Sequence, residues 1–165
     1  MPGDSIVPDP TFNATRAVTI DATPAEIWPW IVQMGYRTAG FYSYDQLDND
    51  GIPSVNHLIP ERQHLDVGDS IPLTAHDYVT VTSMESDTSM LWEYAGDDTT
   101  TVFTWAWGLY PQDDRQTRLV TRLRYRASGI RSQLMLEFFE IIMMRKCLLG
   151  IRQRAERGPT RQGAS

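Results

Sequence analysis

Between residues 42 and 64 the chain gathers the side chains best suited to proton transfer: Tyr42, Tyr44 and Asp45, then His57, Glu61 and His64. A carboxylate or imidazole beside an apolar wall has a shifted pKa, and could then enolise a carbonyl or protonate a leaving hydroxyl. Those are the steps of an aldol cyclisation and dehydration. A tyrosine hydroxyl could hold the enolate oxygen. The candidate catalytic residues are Asp45, Glu61, His64 and Tyr44. Each has a plainer use as well: Asp45 and Glu61 suit caps or turns, and His57 and His64 suit solvent-facing loops. A metal site is not expected from His57, Glu61 and His64. Pro60 breaks any helix that would align the first two, and no His-Glu-x-x-His segment occurs. With no nucleophile elbow, Walker segment or dinucleotide fingerprint either, the chemistry expected is cofactor-independent.

These residues lie on a long irregular excursion, Gly35 to Leu65, and connections of that length inside a domain are usually functional or lids. What precedes it is well marked. Arg16–Asp21 alternates like a strand. Thr23 is a good N-cap, Pro24 suits the first helical position and Glu26 can close a capping box, so a helix is predicted from Pro24. Pro29 cannot donate to the carbonyl of Ala25, which predicts a bend or restart between Trp28 and Trp30. The two indoles then diverge inside the protein, either lining a cavity or packing the core. Within the excursion, Tyr42–Leu47 is the clearest helical stretch.

After the excursion the pattern changes to strands, at about Asp69–Leu73, Asp77–Ser86, Ser89–Ala95, Thr101–Tyr110 and Gln116–Arg126. Short polar separators such as Pro111-Gln-Asp-Asp-Arg115 and Ala95-Gly-Asp-Asp-Thr99 imply an antiparallel meander. Alternation places Met90, Trp92 and Tyr94 on one face with Phe103, Trp105, Trp107 and Leu109, and with Leu119, Thr121, Leu123 and Tyr125. This makes one aromatic wall. The opposite face of the last strand carries Arg118, Arg122, Arg124 and Arg126, which must meet water or acidic neighbours. Gly129 and Ser132 precede a final helix, about Ser132 to Arg157, which Gly150 interrupts without necessarily ending. Leu134, Phe138, Ile141, Ile142, Leu148 and Leu149 are expected to cover the sheet, and Met135, Phe139 and Met143 to spill to a flank. The excess apolar arc suits a helix closing a cavity, and a membrane-surface or dimer face is the alternative.

The 165 residues, 41% hydrophobic, are enough for one well-buried domain and too few for two. The expected organisation is a flexible or surface-draped arm over 1–13, one domain over 14–158 and a disordered tail over 159–165. No apolar run approaches the roughly 18 to 20 residues of a membrane span, and the polar, proline-rich start is unlike a signal peptide, so no stable membrane insertion and a cytoplasmic location are expected. Cys147 stands alone, cannot form an intrachain disulfide, and reads as a small hydrophobe among Met144, Leu148 and Leu149. The net charge of −6 hides an asymmetry, with −15 over residues 1–114 and +9 over 115–165. The basic end suits helix-dipole and cross-strand pairing better than an anion partner. The acidic total and the lack of any binding motif argue against nucleic acid.

Order and motif together resemble the START-like superfamily, also called SRPBCC, in its polyketide cyclase/dehydrase and lipid-transport group. The residues that carry the resemblance are Ala22-Thr-Pro-Ala-Glu-Ile-Trp-Pro-Trp-Ile-Val-Gln-Met-Gly35, Ala39-Gly-Phe-Tyr-Ser-Tyr-Asp45, Ile59-Pro-Glu61, Val67-Gly-Asp69, Thr104-Trp-Ala-Trp107, Thr117-Arg-Leu119 and Leu149-Gly-Ile-Arg-Gln-Arg-Ala-Glu156. They span about Arg16 to Arg157. The resemblance implies an α+β helix-grip fold: a curved antiparallel sheet wrapped around the long C-terminal helix, enclosing an apolar cavity. The glycine-rich loop of some plant relatives is missing, and no cyclase active-site signature is matched residue by residue.

A cavity of that kind would be lined by Trp30, Tyr42, Trp92, Trp105, Trp107, Tyr125, Phe139 and Met143, and would suit a small hydrophobic molecule of polyketide, aromatic or terpenoid type. The function expected is a cyclase, dehydratase or isomerase working by acid–base catalysis. The alternative is a carrier or sensor that performs no chemistry. They differ in whether ionisable groups point into the cavity. Any chemistry is expected where the excursion meets the aromatic wall. A homodimer is left open.

Overall fold

The computed structural model describes residues 1–95, 101–126 and 130–158, with side chains described for 1–94, 103–126 and 141–158. Six strands form one antiparallel sheet: β1 (Phe12–Ile20), β2 (Ser70–Pro72), β3 (Tyr78–Glu85), β4 (Ser89–Ala95), β5 (Thr101–Pro111) and β6 (Thr117–Tyr125), in the spatial order β1-β6-β5-β4-β3-β2. Helix α1 (Pro24–Val32) follows β1, the single-turn α2 (Asp45–Asp48) and a 3-10 turn (Pro60–Arg62) lie in the excursion, and α3 (Ile130–Arg157) ends the fold. The architecture is α+β, a six-stranded antiparallel sheet with a long C-terminal helix, consistent with a helix-grip arrangement. No helix among the described residues is long and apolar enough to cross a membrane.

Helix α1 starts where the sequence places it. The Glu26 carboxylate accepts from the Thr23 N–H at 2.8 Å, so one orphan donor of the first turn is satisfied. The helix runs through Pro29 as one element and does not restart there. The missing N–H deprives only the carbonyl of Ala25, an exposed residue whose oxygen water can serve. Both indoles are inside nonetheless, with Trp30 meeting the Tyr42 ring edge-on at 6.2 Å.

The register of the sheet builds the expected wall. Met90 faces Trp107, Trp92 faces Trp105 and Tyr94 faces Phe103 across β4 and β5, while Trp105 faces Leu123 and Trp107 faces Thr121 across β5 and β6. Side chains directly opposite on one face are in contact range, so three indoles meet, with Trp92 edge-on to Trp105 at 5.1 Å and to Trp107 at 5.6 Å.

Two expectations need correction. Strand β1 begins at Phe12, earlier than the expected Arg16 and inside the segment read as a flexible or surface-draped arm, the rest of which lies on the sheet. Val7 is buried, and Gly3 sits so close to Leu91 that a Cβ there would be 2.7 Å from its Cδ1. The arginine stripe of β6 supplies the rest of the contact. Arg122 pairs with Asp4 at 2.7 Å, Arg124 donates to the Val7 carbonyl at 3.0 Å and Arg126 donates to that of Pro8. The acidic neighbour that the stripe requires thus comes from the first ten residues.

The second correction concerns α3. Its described inner face is Met144, Cys147, Leu148, Ile151 and Ala155, spaced by threes and fours, whereas Ile141, Ile142 and Leu149 are exposed. The side chains of Leu134, Met135, Phe138 and Phe139, residues 96–99 of the Ala95–Thr99 turn, Gly129 and the expected tail 159–165 lie outside the described residues. Gly150 leaves the helix unbroken and lets it approach the excursion: a Cβ would stand 2.2 Å from the Tyr42 carbonyl oxygen.

Candidate functional site

The excursion is tied down by a buried amide. Gln33, just past the end of α1, donates through Nε2 to the Tyr42 hydroxyl at 2.9 Å and to the His57 carbonyl at 3.2 Å. Its Oε1 accepts from the Ile59 N–H and from Gln63 Nε2, both at 3.0 Å. A buried amide so fully partnered fixes its neighbours, because losing any partner would strand a polar group away from water. Tyr42 is a second anchor. Its hydroxyl donates to the Trp30 carbonyl at 3.0 Å, its ring lies under the Arg154 guanidinium at 4.3 Å, and its N–H donates to Ser54 Oγ at 3.0 Å. Burial raises the phenol well above its ordinary value, so it stays protonated.

Between this anchored excursion, the aromatic wall and α3 opens a pocket of about 190 Å³, lined by Phe41, Ser43, Asp48, Leu73, Trp105, Met143, Met144 and Cys147. It is open to solvent on one side. Phe41 stacks on Trp105 with centroids 6.2 Å apart and planes inclined by 21°, and the Trp105 indole N–H donates to Thr121 Oγ1 at 2.8 Å, which fixes the ring. Ser43 donates to the Met143 carbonyl at 3.0 Å, joining excursion to helix at the pocket's edge.

Asp48 is the carboxylate of this pocket. Partial burial, and secondarily the charge of Asp45, push its pKa up to about 6, against the pull of its own backbone N–H and the Ser43 hydroxyl. Its Oδ1 is buried without a hydrogen-bond partner among the described residues. The Cys147 thiol is driven above its ordinary range by burial first and by Asp48 second, so it remains a neutral wall atom and not a nucleophile.

The other predicted site residues are distributed around this pocket. Trp105 and Met143 line it. Trp92 and Trp107 stand behind Trp105, fully buried, and the Trp92 indole N–H points to Met90 Sδ at 2.7 Å. Trp30 packs on Tyr42 in the core. Tyr125 stacks on Phe12 at 4.9 Å in a separate small cluster with Ala14. The Phe139 side chain lies outside the described residues.

Among the acid–base candidates, Asp45 accepts from Ser54 Oγ at 2.5 Å and lies on the other side of the excursion, in a polar recess with Lys146 and Arg154. Tyr44 is exposed, with the Lys146 ammonium 5.9 Å from its ring centroid. Glu61 and His64 do come together, but in a different cleft of about 200 Å³ with Thr38, Arg62 and Asp69, near the start of β2. His57 is half-buried and contributes its carbonyl to Gln33. No group of three His, Cys, Asp or Glu among the described residues is placed to hold a metal ion.

Sequence reasoning named neither Asp48 nor Phe41 as a site residue. The available signal for Asp48 was its spacing from Asp45: three apart in Asp45-Gln-Leu-Asp48, the two carboxylates are neighbours on α2, and the charge of Asp45 acts on Asp48.

No family model matches the chain, nor does any curated protein sequence. Solved structures share its fold. A solution NMR structure of a Thermobifida fusca protein superposes with a TM-score of 0.60 at 14% identity, covering 88% of this chain and 93% of that one. The Aha1 dimer from Colwellia psychrerythraea gives 0.59 at 14% identity, covering 92% and 99%. A Mesorhizobium loti protein gives 0.56 at 14% identity, covering 88% and 98%. At such identity the similarity speaks for the fold alone.

Proposed function

We propose that the chain binds a small apolar molecule in the pocket between Phe41, Leu73, Trp105 and Met143. The observation that carries this reading is the pocket itself: aromatic and thioether walls, one hydroxyl and a single carboxylate, at the junction of excursion and sheet. The volume supports a ligand of about one ring, since a dry cavity of roughly 150 Å³ takes up benzene. The resemblance to START-like proteins supports an enclosed ligand site beside the final helix. Exposed Ile141, Ile142 and Leu149 are the surface on which a homodimer would form, and a fold neighbour has been solved as a dimer.

Binding without chemistry is the reading favoured here. Asp45, Glu61 and His64 do not line the pocket, so the acid–base pair of a cyclase or dehydratase is not assembled from them. One observation supports turnover as the second reading: a carboxylate with a pKa of about 6 can exchange a proton near neutrality. In that case the acid–base group is Asp48, not Asp45 or Glu61.

The test is native mass spectrometry of freshly purified protein for a small apolar adduct. Leu73→Trp, which fills the pocket from its rim, should abolish the adduct, and Trp105→Ala should cut its occupancy about tenfold, in line with the loss of one large aromatic contact. An adduct retained at full occupancy in Leu73→Trp would refute the assignment.

A further inference from the structure

The walls and charges of this pocket specify more than apolarity. Asp48 Oδ1 is buried and unpartnered among the described residues, and no ion pair there involves Asp48. The charged groups on each neighbouring element are occupied elsewhere. On α2, Asp45 is held by Ser54 and adds a second negative charge. On α3, Arg145 lines a separate groove with Arg16 and Val18, Arg154 donates to the carbonyls of Val55 at 2.7 Å and Gly150 at 3.0 Å, Lys146 lies over the Tyr44 ring, and the Cys147 thiol is neutral. The sheet side brings Trp105 and Leu73, which carry no charge. A partly desolvated carboxylate without a counter-ion therefore sits beside two stacked π-faces and two thioethers. That is the complement of a cation with an apolar body: the carboxylate neutralises it and the aromatic faces attract it.

We infer that the pocket selects a small hydrophobic ammonium ion, a primary amine on a single aromatic or alicyclic ring, over a neutral molecule of the same shape, with Asp48 as its counter-charge. This rests on the pocket being a binding site at all, and the two claims separate experimentally. The probes are 2-phenylethylamine and its neutral isostere 2-phenylethanol, titrated into wild type and Asp48→Asn while backbone and indole NMR signals of residues around the pocket are followed.

At pH 8 the amine is expected to bind at least tenfold more tightly than the alcohol. Lowering the pH through about 6 protonates Asp48 and should erase most of that preference, whereas the amine itself stays charged throughout. In Asp48→Asn the preference should fall below threefold at pH 8. Equal or tighter binding of the alcohol in wild type at pH 8 overturns the inference and leaves the binding site standing. So does a preference that survives in Asp48→Asn or does not decline with pH. If neither probe perturbs the pocket signals, the inference and the binding reading fall together.

Discussion

Asp48 concentrates the consequences that belong to single residues. Its folded-state pKa is raised from the ordinary carboxylate value of 3.8 to about 6, so the folded chain keeps a proton that the unfolded chain releases between those values. The protonated form's contribution to stability is full below that window and is lost as pH rises through it. Discounted for the half-exposed position of the group, the ionised carboxylate costs about 1–2 kcal/mol at pH 7. Asp48→Asn should therefore raise stability by about that amount at pH 7.5 in urea denaturation, and by almost nothing at pH 4. An equal gain at both pH values would mean that the charge of Asp48 is not what the fold resists. Asp48 also shows where residue-type reasoning stopped. Tyr44, Asp45, Glu61 and His64 were legible as titratable groups on an excursion, but that Asp48 rather than any of them lines the pocket depends on the fixed path of the chain through Gln33 and Tyr42. No local pattern encodes that path.

At the scale of elements, legibility followed periodicity. Strands β3 to β6 and the aromatic wall were readable because alternation fixes a side chain's face by parity alone, and α1 was readable from its cap and first-turn proline. The inner face of α3 was not. A helix with apolar residues on most sides offers several equivalent stripes, and the one used here, Met144, Cys147, Leu148, Ile151 and Ala155, is selected by what the helix packs against. Gly150 marks that selection. Its missing Cβ lets α3 lie against the Tyr42 backbone, which is itself held by Ser54 and adopts a positive φ of 57°. Gly150→Ala should destabilise the fold by about 1–2 kcal/mol net, because the clash is with backbone and outweighs the roughly 1 kcal/mol by which alanine favours a helix. Thermal and urea melts of the two proteins check this. A more stable alanine variant would show that the contact relaxes freely.

For the whole molecule, the acidic first part and the basic last part meet through Asp4 and the β6 arginines, and hydrogen bonds add further ties between them. Asp4 meets Arg122 and Arg124, Gln116 reaches Asp21, and Arg154 closes on carbonyls of the excursion. The pocket lies where excursion, wall and helix meet without filling the space. The sequence pointed to this junction through the aromatic wall and the long excursion, yet the pocket's contents depend on Phe41 and Asp48, brought there by the tertiary path. The most direct test of the pocket as the binding site is a two-dimensional ¹H–¹⁵N NMR map of the wild-type protein saturated with 2-phenylethylamine at pH 8. The expected result is a cluster of shifts at Phe41, Asp48, Cys147 and the Trp105 indole N–H, with the Glu61–His64 cleft unchanged. Shifts centred on Glu61 and His64, or none at Trp105, would contradict it.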